Sequence, residues 1–211
     1  MSEETPDKPQ KRMTFPNPML VVVSGPSGVG KSTIVAELAR AHPQVVPIVT
    51  ATTRERRNGE VHGVHYHFMD RDDFVALRDA GGLLEWAEVH GNLYGTPVEQ
   101  ARGILAAGRD AILTIDPQGA RQVRASVPDA LLVFVKPPTM EDLARRLRKR
   151  GSESAESLAR RRRDAEHWMA ESGDYDHVVV NETGHAAEAA ERIWDIIQAE
   201  ARRDPPRRPR I

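Results

Sequence analysis

Cysteine is missing altogether from the 211-residue chain. That excludes disulfide bridges, thiolate metal sites and a cysteine nucleophile. Neither charge is in excess: 30 Lys and Arg face 31 Asp and Glu, for a formal net charge of -1. Global attraction to a polyanion is therefore not expected, and any hold on phosphate has to come from local clusters of basic side chains. Long apolar runs are absent too. None approaches the roughly 20 residues of a membrane span, and the N-terminus lacks the apolar core of a signal peptide. A soluble, cytoplasmic protein is the expectation. What is left is one domain of ordinary size, long enough to bury a sizeable core.

Two segments read as disordered. Residues 1–18 are polar, charged and proline-rich, and the tail over 202–211, "RRDPPRRPRI", combines helix-stopping prolines with arginines that repel one another. Between them, helix and strand signals alternate over a domain spanning 19–201. "MLVVVS", "VVPIVTATT", "VHYHFM", "LLEWAEVHG", "DAILTID", "ALLVFVKP" and "DHVVVN" read as strands. Helices are expected over Ser32 to His42, "DRDDFVALRDAG", "TPVEQARGILAAG", "TMEDLARRLRKRG", "ESLARRRRDAEHWMAES" and "HAAEAAERIWDIIQAEA". Thr96 is the expected N-cap of the third of these, before Pro97 at its first position. Thr139, three residues before Asp142, gives the fourth a near-capping box. Alternating strand and helix units with nearly continuous apolar strands imply an α/β fold whose parallel sheet is covered on both faces.

The most specific local signal is "GPSGVGKS", Gly25 to Ser32, which fits G-x-x-x-x-G-K-S/T between a strand and a helix. Glycines let the backbone curl until successive N–H groups point inward around phosphate oxygens, and the following helix adds its positive end. Lys31 is placed to reach the β- and γ-phosphates, and the Ser32 hydroxyl suits Mg²⁺. A nucleoside triphosphate is implied, but kinase, GTPase and motor-type ATPase all remain open.

Arg54 and Arg57 lie close together in a polar loop, with Tyr66 following. Guanidinium groups donate to phosphate in a planar, bidentate way and a phenol adds a neutral donor. Standing alone, the loop would more readily read as a solvated charged segment. Further on, Glu85 offers a carboxylate that can accept two parallel hydrogen bonds from the N1–H and N2–H₂ edge of guanine. Adenine has no such pair of donors. Hydroxyls at Thr50 and Thr96 would suit guanine O6, although spacing alone leaves Glu85 as an ordinary surface strand residue.

Together, Ser24 to Thr33, "TTRERRNGEVHGVHYHF", "LLEWAEVHGNLYGT", "IDPQGA", "KPPTMEDLARRL" and "RGSES" resemble guanylate kinase, of the P-loop nucleoside monophosphate kinases, in order and spacing from Met19 to Asn181. The resemblance implies a P-loop three-layer sandwich with a parallel sheet core, a small GMP-binding region near residues 50–100 and a mobile helical lid near 145–170. The implied reaction is ATP + GMP ⇌ ADP + GDP with Mg²⁺, in purine nucleotide metabolism, with dGMP as a further acceptor. Gly25, Pro26, Ser27, Gly28, Val29, Gly30, Lys31, Ser32 and Thr33 would hold ATP, with Ser32 on the metal. Arg54, Arg57, Tyr66 and Tyr94 would hold the GMP phosphate. Glu85, Thr50 and Thr96 would read guanine, with Asp116 beside the nucleotide. Lys31 and the lid arginines Arg146, Arg150 and Arg161 would act on the transferring phosphoryl group, Arg146 and Arg150 sharing one helical face. The implied partners are these small substrates, with no nucleic acid or membrane, in a monomer or homodimer.

Thr114 departs from the pattern, standing where the family usually has an acid two residues before Asp116. A P-loop kinase for AMP or dTMP is the rival reading within the class, separated by Glu85. A non-catalytic interaction module is the rival outside it, and the intact loop through Lys31 and Ser32 speaks against that. Trp86 and Trp194 are expected in the core.

Overall fold

The structure is a computed structural model, and it describes residues 17–89, 91–149 and 155–211. The expected disorder of residues 1–16 therefore lies outside the described residues, as does Arg150. For Arg161 only the backbone is described.

The chain begins with β1 (Leu20–Ser24), α1 (Lys31–Ala41), β2 (Val45–Pro47), β3 (Ala51–Thr52), β4 (His67–Phe68) and α2 (Arg71–Asp79). It continues through β5 (Leu83–Val89), β6 (Asn92–Pro97), α3 (Val98–Ala106), β7 (Asp110–Thr114), α4 (Pro117–Ser126) and β8 (Leu131–Lys136). The last elements are α5 (Met140–Lys149), α6 (Ala155–Ala170), a 3₁₀ turn at Glu171–Asp174, β9 (His177–Val180) and α7 (Ala186–Ala201).

Five strands form a parallel sheet in the order β2-β7-β1-β8-β9. Successive side chains on β1 point to opposite faces. Val21 and Val23 meet Ile34 and Leu38 of α1 and Ile193 and Ile197 of α7. Leu20 and Val22 meet Val98 and Ala101 of α3 and Ala120 and Val123 of α4. The result is the expected three-layer α/β sandwich. No helix among the described residues is long and apolar enough to cross a membrane.

A second sheet, β4-β3-β6-β5, stands beside the core. Its β3–β6 and β5–β6 pairs are antiparallel, and Ala51, Phe74 of α2 and Leu93 form its small core. Asp70 caps α2 by accepting from Asp73 N–H at 2.8 Å. Thr139 likewise accepts from Asp142 N–H at 3.1 Å at the start of α5.

Several local expectations are corrected. "VVPIVTATT" is two strands, because β2 pairs in the core sheet and β3 in the other. Thr96 is no helix cap: it lies on β6, and Pro97 takes the cap position of α3. The sequence reading has no helix where α4 lies, although Asp116 caps it and Pro117 opens it. Trp86 is 37% exposed instead of buried, with the Arg78 guanidinium 4.9 Å from its ring centroid. Trp194 does pack on the core, stacked against His42.

The tail is also ordered, contrary to its basic, proline-rich composition. Arg207 is buried, donating to Glu200 at 2.7 Å and to Ala130 O at 3.2 Å, with Asp176 at 3.4 Å. Ile211 packs beside the α3–α4 cluster, and its carbonyl accepts from Arg102 at 3.0 Å. The expectation weighed only repulsion within the segment, whereas two carboxylates elsewhere in the fold neutralise the arginine.

Candidate active site

The glycine-rich loop leaves β1 at Gly25. A Cβ there would lie 2.2 Å from Val135 O, so no side chain fits between the loop and β8. Gly30 adopts a left-handed φ of 100° and serves as the N-cap of α1 without a side-chain cap, and the first turn of α1 carries no acid. The helix therefore presents N–H groups and positive potential to the loop. Lys31 folds back across it, its Nζ donating to Gly25 O at 2.6 Å and Pro26 O at 3.2 Å. Ser32 and Thr33 are exposed at the mouth.

A cleft of about 230 Å³ joins this loop to the second sheet. Lys31 and Ser32 of the loop line it together with Thr50, Tyr66, Glu85 and Tyr94, and so do Thr114 and Asp116. Five of the eight residues expected to bind GMP (Thr50, Tyr66, Glu85, Tyr94 and Asp116) thus share one cavity with Lys31 and Ser32 of the glycine-rich loop.

Glu85 is 6% exposed. Its Oε1 accepts the Thr96 hydroxyl at 2.6 Å. Burial pushes its carboxyl up to about 7; the Thr96 hydrogen bonds oppose the rise and nearby Asp116 adds to it. Thr96 is thus placed differently from the expectation. Its hydroxyl is directed to Glu85, and the residue is buried on β6 without lining the cleft. Asp116 caps α4 by accepting from Gly119 N–H at 2.9 Å while facing the cavity.

Arg54, Tyr66 and Tyr94 cluster together. The Arg54 guanidinium lies 5.4 Å from the Tyr66 ring centroid, and Tyr66 meets Tyr94 edge-on at 6.0 Å. Arg54 pairs with Glu60 at 2.7 Å, and Glu60 also accepts from Arg57 N–H at 2.8 Å. The sequence reading overlooked Glu60, an acid seated between the two expected phosphate ligands. The Arg57 residue itself is exposed.

Arg146, expected on the phosphoryl group, bonds to protein groups in this structure. Its guanidinium donates to Val29 O at 3.1 Å, Asn181 O at 2.7 Å and the Thr183 hydroxyl at 3.0 Å. It ties α5 to the back of the glycine-rich loop and to the β9–α7 connection. Asn181 joins it there, its Nδ2 donating to Val29 O at 2.7 Å. Tyr175, which no sequence signal marked, donates to the Ser24 hydroxyl at 3.0 Å at the loop's entry.

Comparison with known proteins decides the family. The model described as guanylate kinase matches residues 17–200. The chain belongs to the guanylate kinase family. It is 47% identical over 188 residues to a guanylate kinase of Symbiobacterium thermophilum, covering 89% of this chain and 88% of the relative. A guanylate kinase of Streptomyces kasugaensis is 50% identical over 177 residues, covering 84% of each. Among solved structures, guanylate kinase from Anaplasma phagocytophilum aligns with a TM-score of 0.70 at 32% identity, covering 89% of this chain and 88% of that one. In this chain the buried Glu85 carboxylate lines the same cleft as Lys31 and Ser32 of the glycine-rich loop.

Proposed function

We propose that the cleft between the glycine-rich loop and the second sheet runs the guanylate kinase reaction, transfer of the γ-phosphoryl of ATP to GMP to give ADP and GDP. The observation that carries this reading is the buried Glu85 carboxylate facing the same 230 Å³ cavity as Lys31 and Ser32. Guanine presents two adjacent donors, and an ionised carboxylate is their planar, two-fold acceptor.

Residues 25–33 cradle the ATP phosphates through backbone N–H groups. Lys31, freed from Gly25 O and Pro26 O, moves onto the β- and γ-phosphates. Arg54, Tyr66 and Tyr94 hold the GMP phosphate, with Arg57 beside them; Arg54 exchanges the Glu60 carboxylate for phosphate oxygens. Thr50 hydrogen-bonds guanine beside Glu85, whereas Thr96 acts through Glu85. No general base is needed, because a phosphate monoester with a second pKa near ~6 is largely dianionic at neutral pH. The chain's task is to align the two phosphates, screen their repulsion and keep water out. Arg150 and Arg161 supply the lid's positive charge, and Arg146 fixes the lid's first helix to the loop.

The donors suit Mg²⁺. Ser32 and Asp116 offer hard oxygen ligands in one cleft, and this ion takes most of its ligands from phosphate and water. Bound there, it supplies charge neutralisation on the ATP phosphates.

A coupled assay of ADP formation from ATP with GMP, dGMP, AMP, dTMP or UMP, each with and without Mg²⁺, tests the reading. Turnover is expected with GMP and dGMP, and only with Mg²⁺. No turnover with any acceptor overturns it.

A further inference from the structure

Beyond its cap, helix α4 has a face that none of the assigned chemistry uses. Its cap Asp116 lines the cleft, and Gly119 and Gln122 follow at three-residue steps, hence on the same side of the helix. That side lies against β5, which carries Glu85 and stands at the end of the strand order β4-β3-β6-β5. With no strand beyond β5 among the described residues, its outward backbone groups need other partners. Gln122 supplies them at Trp86. Its Oε1 accepts from Trp86 N–H at 3.1 Å, and its Nε2 donates to Trp86 O at 2.9 Å. The carboxamide pairs with the strand as a neighbouring strand would, one residue from Glu85.

One turn earlier, Gly119 provides room. A Cβ on it would lie 2.8 Å from Glu85 Oε2 and 3.3 Å from Ile115 Cβ. The Glu85 carboxylate is thus held on two sides, with one oxygen on the Thr96 hydroxyl at 2.6 Å and the other over a glycine that leaves space for it.

We propose that Gly119 and Gln122 are positioning residues for guanine selection: together they set the place and tilt of the Glu85 carboxylate. The proposal rests on the reading of Glu85 as the guanine acceptor. Two parallel hydrogen bonds require both carboxylate oxygens in the plane of the purine. Without that alignment, the purine 2-amino group gains nothing over hydrogen. Alanine at 119 meets first the end of a flexible side chain, so it is accommodated by movement of the carboxylate. The helix itself is not strained, and alanine favours helix over glycine.

The test uses the full chain and four proteins: wild type, Gly119→Ala, Gln122→Leu and Glu85→Gln. Steady-state KM and kcat are measured with GMP and with IMP, which lacks the 2-amino group, alongside KM for ATP and the melting temperature. Losing one hydrogen bond to a charged group costs roughly 10- to 100-fold in affinity. Gly119→Ala should therefore raise KM for GMP by ~10- to 100-fold, with KM for ATP and melting temperature held. Its GMP-to-IMP preference should fall toward that of Glu85→Gln. Gln122→Leu should move the preference in the same direction by less. Should Gly119→Ala not fold, Gln122→Leu decides by the same ratio. An unchanged GMP-to-IMP preference in these variants, while Glu85→Gln loses it, overturns the proposal. So does a parallel loss of GMP and ATP affinity together with a lowered melting temperature. If Glu85→Gln itself keeps the preference, the guanine reading falls, and the proposal with it.

Discussion

The Thr96 hydroxyl lies 2.6 Å from Glu85 Oε1, inside a space where Glu85 is 6% exposed. This hydroxyl makes the side chain-to-side chain hydrogen bond that helps keep the carboxylate ionised against burial. The pair is therefore sensitive to proton concentration near neutral pH.

On the proposed reading guanine binding requires ionised Glu85, whose carboxyl burial raises to about 7. Below that value GMP must displace a proton. KM for GMP should rise as pH falls from 8 toward 5.5, approaching about tenfold per pH unit, while KM for ATP changes less. Thr96→Val removes the hydroxyl and should shift this rise to higher pH. A flat KM for GMP across the range would contradict the assignment.

Thr114 stands in the cleft near Asp116 and Glu85. Thr114→Asp adds a carboxylate that supports Mg²⁺ and, through repulsion, raises Glu85 further. At pH 8, kcat should equal or exceed that of the wild type. Below pH 7, KM for GMP should worsen more steeply than in the wild type. Initial rates at both pH values check this, and a large fall in kcat at pH 8 would refute it.

Asp110 starts β7 and accepts Met19 N–H at 2.8 Å. Burial raises its carboxyl from 3.8 to about 6, with the Met19 bond opposing the rise. A folded-state value above the unfolded one gives stability that is complete below the unfolded pKa and is lost as pH rises through the folded one. Asp110→Asn keeps an acceptor for Met19 and removes the charge. The variant should be more stable than wild type at pH 8, by on the order of 2–3 kcal/mol, and close to it at pH 4. Urea unfolding at the two pH values measures the difference.

Arg207 is 7% exposed between Glu200 and Asp176. Burial by itself would raise both acids, but hydrogen bonds and positive neighbours outweigh it. Leu132 N–H, Arg124 and Arg207 hold Asp176 below its ordinary value, and Arg207 and His177 hold Glu200 below its own. Arg207→Ala should cost about 1–3 kcal/mol near pH 7. For lowered carboxylates the contribution is present above the unfolded pKa and is lost as pH falls through the folded one. The gap between variant and wild type should therefore close in acid. Thermal melts at pH 7 and pH 3 test it, and equal melting temperatures at pH 7 would show that the tail adds nothing.

Much of the architecture is written locally. The glycine spacing of Gly25 to Ser32, the acid that caps α2 and the threonine that caps α5 act through groups a few residues apart, so sequence order already contains their geometry. The apolar run of β1 needs only the rule that a strand buried on both faces has no polar side. Charge balance, the missing cysteine and the donor loop likewise require no fold to interpret.

Contacts across the chain decided the rest. Thr96 reads as a helix cap until β5 and β6 pair, and its hydroxyl then faces Glu85. "PQGARQVRAS" is too polar to announce a helix, because Ala120 and Val123 are its main apolar contribution to the core and its side toward β5 carries a glycine and a carboxamide. Arg146 looks like a phosphate ligand until the loop carbonyls come within reach, and Arg207 looks solvated until Asp176 and Glu200 close around it. By itself the sequence determined which groups could hold two nucleotides. Only the tertiary structure decided which polar side chains face the cleft and which are spent on one another, since hydrogen bonds between distant residues exist only after the sheets have paired.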